Sequence, residues 1–179
     1  MKGVVLRILG FLIIFLSLIL ALKIYSSNLD MINMNLRPYK VCDNCTVTVD
    51  SSGTKIQKEN DKGYSFSNIV SFTSKGIGLN SSISDIINKY DLKENYAKLR
   101  IENNSNNIKE YIETYYKDKK SINNKSNFII YFTYIKNNTK WELLNLNTNN
   151  NSYNETLTYY FTFNNNSLTS FEVKHVKNS

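Results

Sequence analysis

The sequence predicts an α+β protein: an N-terminal transmembrane helix, then a two-layer domain in which one or two helices pack on an antiparallel β-meander. Three observations predict it. An uncharged apolar run, Ile8 to Leu22, stands near the start. Helical spacing of apolar residues recurs in the middle of the chain. From Phe128 onward, aromatic and β-branched residues alternate with polar ones between Asn-rich turns. The 179 residues leave room for one compact domain plus an appendage.

The apolar run reads ILGFLIIFLSLILAL, with Lys2 and Arg7 before it and Lys23 closing it. As a helix it would rise ~22 Å, short of a ~30 Å hydrocarbon core. Val4 to Leu6, with Ile24 and Tyr25, extend it to spanning length, and Arg7 and Lys23 would snorkel to the two headgroup layers. The basic N-terminus keeps that end in the cytoplasm and places the chain beyond Tyr25 outside. The alternative is a cleaved signal peptide and a secreted chain. Cleavage favours small residues at −3 and −1, and ALKIYSS offers no good pair. The expected organisation is therefore a cytoplasmic stub and signal-anchor over 1–25, a stalk and short hairpin over 26–61, and an extracytoplasmic domain over 62–179. The expected location is the cell membrane, crossed once.

Residues 26–40 lack periodicity and contain the one proline, Pro38. Thr46-Val47-Thr48-Val49, Asp50-Ser51-Ser52-Gly53 and Thr54-Lys55-Ile56 spell a short hairpin. Tyr64, Phe66, Val70 and Phe72 share one parity and read as a strand. Ser82 with Asp85 three residues on is a capping box, and Ile83, Ile86, Ile87 and Tyr90 form one helical face. Ile108, Tyr111, Ile112 and Tyr115 predict a second helix, capped by Asn107 and followed by Lys117, Lys119 and Lys120, which suit its negative end. Leu92 to Ile101 fits helix or strand. The meander then comprises Phe128–Ile135, Trp141–Leu146, Leu157–Phe163 and Ser167–Val176, joined at turns where Asn tolerates positive φ.

Composition narrows the chemistry. Lys and Arg number 22 against 15 acidic residues, a net charge of +7. Without Lys2, Arg7 and Lys23 the remainder carries +4, spread thinly, and no basic stripe or motif marks a nucleic-acid partner. The chain has 28 Asn but two Ala and three Arg, a bias that AT-rich codons produce. Cys42 and Cys45 form a C-x-x-C pair whose expected fate is a local disulfide, with free thiols, redox catalysis or metal as alternatives. Zinc would need two more ligands, and the sole histidine, His175, leaves only carboxylates. No nucleophile turn accompanies His175, and Gly76-x-Gly78 lacks the rest of a phosphate loop. No catalytic, metal or cofactor residue is assigned. Glu110 and Glu113 read as an exposed helix face among lysines. Trp141, Tyr159 and Tyr160 are candidate binding aromatics, although alternation buries about half of any strand's aromatics.

The segment Lys75 to Tyr90 (KGIGLNSSISDIINKY) resembles a segment of SmpA/OmlA-like domains of exported envelope proteins, and Phe161 to Val173 resembles their final hairpin. Its helix ends Tyr90-Asp91 where the family has Tyr-Gly, and no lipobox Cys precedes it. The resemblance implies a helix-plus-meander fold and a binding role. The Ile108 segment and Lys140-Trp141-Glu142-Leu143 are similar to NTF2-like exported domains. The expected function is a non-catalytic binding or scaffold domain contacting another envelope component, with the membrane and an envelope protein as partners. The alternatives are a thiol/disulfide-active protein using Cys42 and Cys45, or a cell-wall glycan binder using strand aromatics.

Overall fold

The computed structural model of the chain describes residues 10–19, 31–34, 37–59, 63–67, 71–105, 108–118, 122, 127–148 and 153–178. Helix α1 covers residues 10–19, and every one of them is exposed. Then come β1 (Met31–Met34), β2 (Arg37–Lys40), β3 (Cys45–Asp50), β4 (Gly53–Lys58), β5 (Tyr64–Ser67), β6 (Ser71–Thr73) and α2 (Ile83–Tyr90). The remainder is strand: β7 (Lys98–Ser105), β8 (Ile108–Tyr115), β9 (Asn127–Asn137), β10 (Lys140–Leu143), β11 (Glu155–Asn164) and β12 (Ser167–Lys177). Among the described residues these strands form two antiparallel sheets. The small one runs β2-β1-β6. The large one runs β5-β4-β3-β12-β11-β9-β7-β8, with β10 also on β9.

The long strands β9, β11 and β12 make the centre. Alternation puts Phe128, Ile130, Phe132 and Tyr134 of β9 inward, with Leu157, Tyr159, Phe161 and Phe163 of β11 beside them and Phe171 and Val173 of β12 beyond. Val47 and Ile56 continue this face across β3 and β4. Helix α2 covers it. The Ser82 side chain accepts from the Asp85 amide and the Asp85 carboxylate accepts from the Ser82 amide, so the first turn is closed at both groups. Ile86, Ile87 and Tyr90 are buried, and the two isoleucines contribute about 1.5–3 kcal/mol each. The Tyr90 ring stands 4.8, 5.2 and 5.8 Å from those of Phe132, Tyr159 and Phe161. Ser71 of the small sheet shares a 2.6 Å hydrogen bond with Thr54 of β4, and both are buried.

Turns carry the expected chemistry. Asn165 and Asn166 between β11 and β12 both take positive φ, as does Asn138 between β9 and β10. Asn adopts this region at lower cost than other chiral residues, because its side chain hydrogen-bonds locally. In the β3–β4 turn, Asp50 accepts from the Ser52 amide and hydroxyl.

Several expectations are corrected. A spanning helix needs about 20 apolar residues, and the described part of α1 covers residues 10–19. No helix among the described residues is long and apolar enough to cross a membrane. This overturns the expected N-terminal transmembrane helix, the membrane as a partner through it, the signal-anchor and the single-pass location. Lys2, Arg7 and Lys23 lie outside the described residues. The two-layer α+β class gives way to a largely antiparallel β protein. The second helix is strand β8, paired with β7 from Lys98↔Tyr115 to Ser105↔Ile108. Ile, Tyr and Thr dominate that segment and suit a strand, so a full ladder outweighed an accidental helical spacing. Asn107 lies outside the described residues. The meander is rearranged as well. Strand β11 pairs with β9 rather than β10, while the other edge of β9 is divided between β7 at Phe128–Tyr131 and β10 at Tyr134–Asn137. Strands β3 and β4 belong to the large sheet rather than to a separate hairpin.

Candidate functional site

The pleat that buries Tyr159 turns Tyr160 to the opposite face, where no described residue is buried along the central row. Register lines up Thr48, Glu172, Tyr160, Tyr131 and Lys98 across β3, β12, β11, β9 and β7. Tyr131 and Tyr160 stack with centroids 5.4 Å apart. The Arg100 guanidinium lies 5.8 Å from the Tyr131 centroid. Arg100 also donates to Glu113 of β8 through Nε at 3.0 Å and Nη2 at 2.6 Å. Tyr131 is thus flanked by a ring and a guanidinium and is only partly exposed. A cavity of about 270 Å³ opens beside the row, lined by Arg100, Tyr111, Ile129 and Thr162 among others.

The electrostatics reflect this arrangement. The Arg100 hydrogen bonds hold the Glu113 carboxyl below its ordinary range, and Glu113 in turn raises Arg100. Burial, then the Glu113 charge, pushes the Tyr131 phenol up to about 12. Burial raises Tyr160, helped by Glu172, and burial also raises Glu172 itself.

A second cluster lies on the inner face at one end of the sheet. Cys42 and Cys45 are joined in a disulfide that closes the turn leading into β3. His175, 1% exposed, donates through Nδ1 to the Cys42 carbonyl at 3.1 Å, and its Nε2 lies 3.0 Å from Glu155 Oε1. Lys136 donates to the other Glu155 oxygen at 2.6 Å, and Lys177 to Asp43 at 3.0 Å. Burial opposes the charge on Glu155, but the hydrogen bonds from Lys136 and His175 outweigh it and hold its carboxyl below the ordinary value. Trp141 sits edge-on to His175 at 6.0 Å, under Lys136 at 5.6 Å.

The three candidate aromatics part company. Tyr159 is core, Trp141 is half-buried against His175, and Tyr160 alone joins the open row. Sequence pattern alone does not select Arg100, Glu113 or Glu172 as members of a site. One signal is present, since Arg100 is one of three arginines in a chain that otherwise uses lysine.

Fold and site together define an antiparallel-sheet domain with one covered and one open face. Comparison with protein-family models, curated proteins and solved structures finds no match.

Proposed function

We propose that this chain is a non-catalytic binding or scaffold domain and that a protein partner contacts the open face of its large sheet. The observation that carries the reading is the row Arg100–Tyr131–Tyr160 with Glu113 and Glu172, partly exposed and fixed by mutual contacts. Aromatic and arginine side chains that are already ordered lose little entropy on binding and dominate interface energetics. The stacked arrangement supports a protein partner over a glycan, because the broad ring faces of Tyr131 that a sugar would cover are taken by Tyr160 and Arg100. The cysteine pair leads into strand β3 rather than a helix N-terminus, which argues against a thiol-exchange role.

The test is site-specific photo-crosslinking in the native cell. A crosslinker at position 160 should trap one discrete protein, with the signal lost in an Arg100→Ala/Tyr131→Ala background and kept in Lys140→Ala. Trapping that ignores the double substitution would refute the assignment of this face.

A further inference from the structure

We propose that reduction of the Cys42–Cys45 disulfide turns the inner corner of the sheet into a binding site for a thiophilic divalent cation, zinc above all, with Cys42, Cys45, His175 and Glu155 as ligands. The site lies on the face opposite the open row and is independent of it.

Four features converge there. Cys-x-x-Cys is the spacing by which one tight turn presents two thiolates to a tetrahedral ion. The β3–β12 ladder ends at Thr46↔Lys174, next to Cys45 and His175, and His175 Nδ1 lies 3.1 Å from the Cys42 carbonyl. Cys45 and His175 are both buried, each 1% exposed. His175 is the one histidine in the chain. Ligand atoms of Asp43, Glu155 and His175 lie within 4.8 Å of one another. Two sulfurs, an imidazole and a carboxylate suit zinc better than magnesium or calcium, which take oxygen ligands.

Charge balance points the same way. In the oxidised chain the sulfurs are neutral, and Lys136 and Lys177 already neutralise Glu155 and Asp43. Reduction followed by metal binding adds two thiolates and a dication, which cancel, so the lysines need not move. The redox step requires a dithiol reductant. Its thiolate attacks Cys42 Sγ, since Cys42 is only partly buried and Cys45 is enclosed. The Cys42–Cys45 bond breaks and Cys45 leaves as a thiolate. The reductant's second thiol then displaces Cys42 and departs as a disulfide, having supplied two electrons. Each cysteine that takes up a proton gives it up again when the cation binds.

The test uses the full chain in both redox states. After dithiol treatment and anaerobic desalting, cobalt should bind at one equivalent. It should show the thiolate charge-transfer and strong ligand-field bands of a tetrahedral site, and zinc should bleach them. The oxidised chain should show neither band. Zinc should also raise the unfolding temperature of the reduced chain and leave the oxidised chain unchanged, a readout that requires no substitution. His175→Gln should weaken zinc binding by more than the ~10–100-fold typical of losing a ligand's supporting partner. A reduced chain, folded or not, that binds no more metal than the oxidised one overturns the proposal. So does a His175→Gln chain with wild-type affinity.

Discussion

Tyr159 and Tyr160 are neighbours in sequence, and the fold makes opposite demands on them. Tyr159 is 1% exposed, with ring centroids of Tyr90, Phe132, Phe161 and Tyr134 at 5.2, 5.4, 6.0 and 6.2 Å. Truncating so large a buried aromatic costs about 3–5 kcal/mol, transfer and cavity together. That is a large fraction of the ~5–15 kcal/mol by which a domain is stable. Among the described residues Tyr160 has one ring neighbour, Tyr131 at 5.4 Å, and it is only partly buried. Losing such a pair costs about 0.5–1.5 kcal/mol. Urea unfolding followed by far-ultraviolet circular dichroism should therefore separate Tyr159→Ala from Tyr160→Ala by at least ~1.5 kcal/mol. Binding should respond in the reverse order. A slip of one residue in the β9–β11 register would exchange the two faces and invert the result. Equal losses, or a larger loss for Tyr160→Ala, would refute both the fold and the placement of the site.

Burial holds the Glu172 carboxyl above its ordinary range, so the folded chain binds that proton more tightly than the unfolded chain. Ionised Glu172 therefore subtracts stability once the pH exceeds the ordinary glutamate range. Glu172→Gln should raise the unfolding temperature at pH 7, and the gain should vanish below about pH 4. Equal gains at both pH values would contradict this. The Tyr131 phenol should titrate near 12 in residue-resolved NMR, and Glu113→Gln should lower that midpoint by removing the adjacent negative charge. An unmoved midpoint would disprove the coupling. A Cβ on Gly78 would meet the Phe72 ring at 2.6 and 2.8 Å. Gly78→Ala should therefore cost about 1–3 kcal/mol by chemical denaturation, and adding Phe72→Leu should recover part of it.

What was legible in the sequence was local. The capping box at Ser82 and Asp85 specifies α2 within a few residues, and the Asn-rich turns specify their hairpins, because each depends on one or two side chains and their own backbone. Strand order was not legible. Nothing in Trp141-Glu142-Leu143 says that β10 will stop and leave the next strand to cross to the far edge of β9. Ile108, Tyr111, Ile112 and Tyr115 follow helical spacing, and only the non-local pairing with β7 overrides it. The apolar run from Ile8 was legible as composition, yet no helix among the described residues is long and apolar enough to cross a membrane. Arg100 and Glu113 lie thirteen residues apart, and the pair exists only through the β7–β8 ladder.

The two clusters are consequences of one pleat. The central strands β9, β11 and β12 alternate strictly over most of their length, so each inward aromatic fixes the direction of an outward neighbour. Inward Tyr159 sets outward Tyr160, and inward Val173 sets outward Glu172 and Lys174. At the end of β12 the same parity carries His175 inward, against the 42–45 turn. His175 is buried there, and Cys42, Asp43 and Glu155 satisfy its ring nitrogens. The packing that builds the hydrophobic core thus also gathers polar side chains at its rim and aims the arginine–tyrosine row outward.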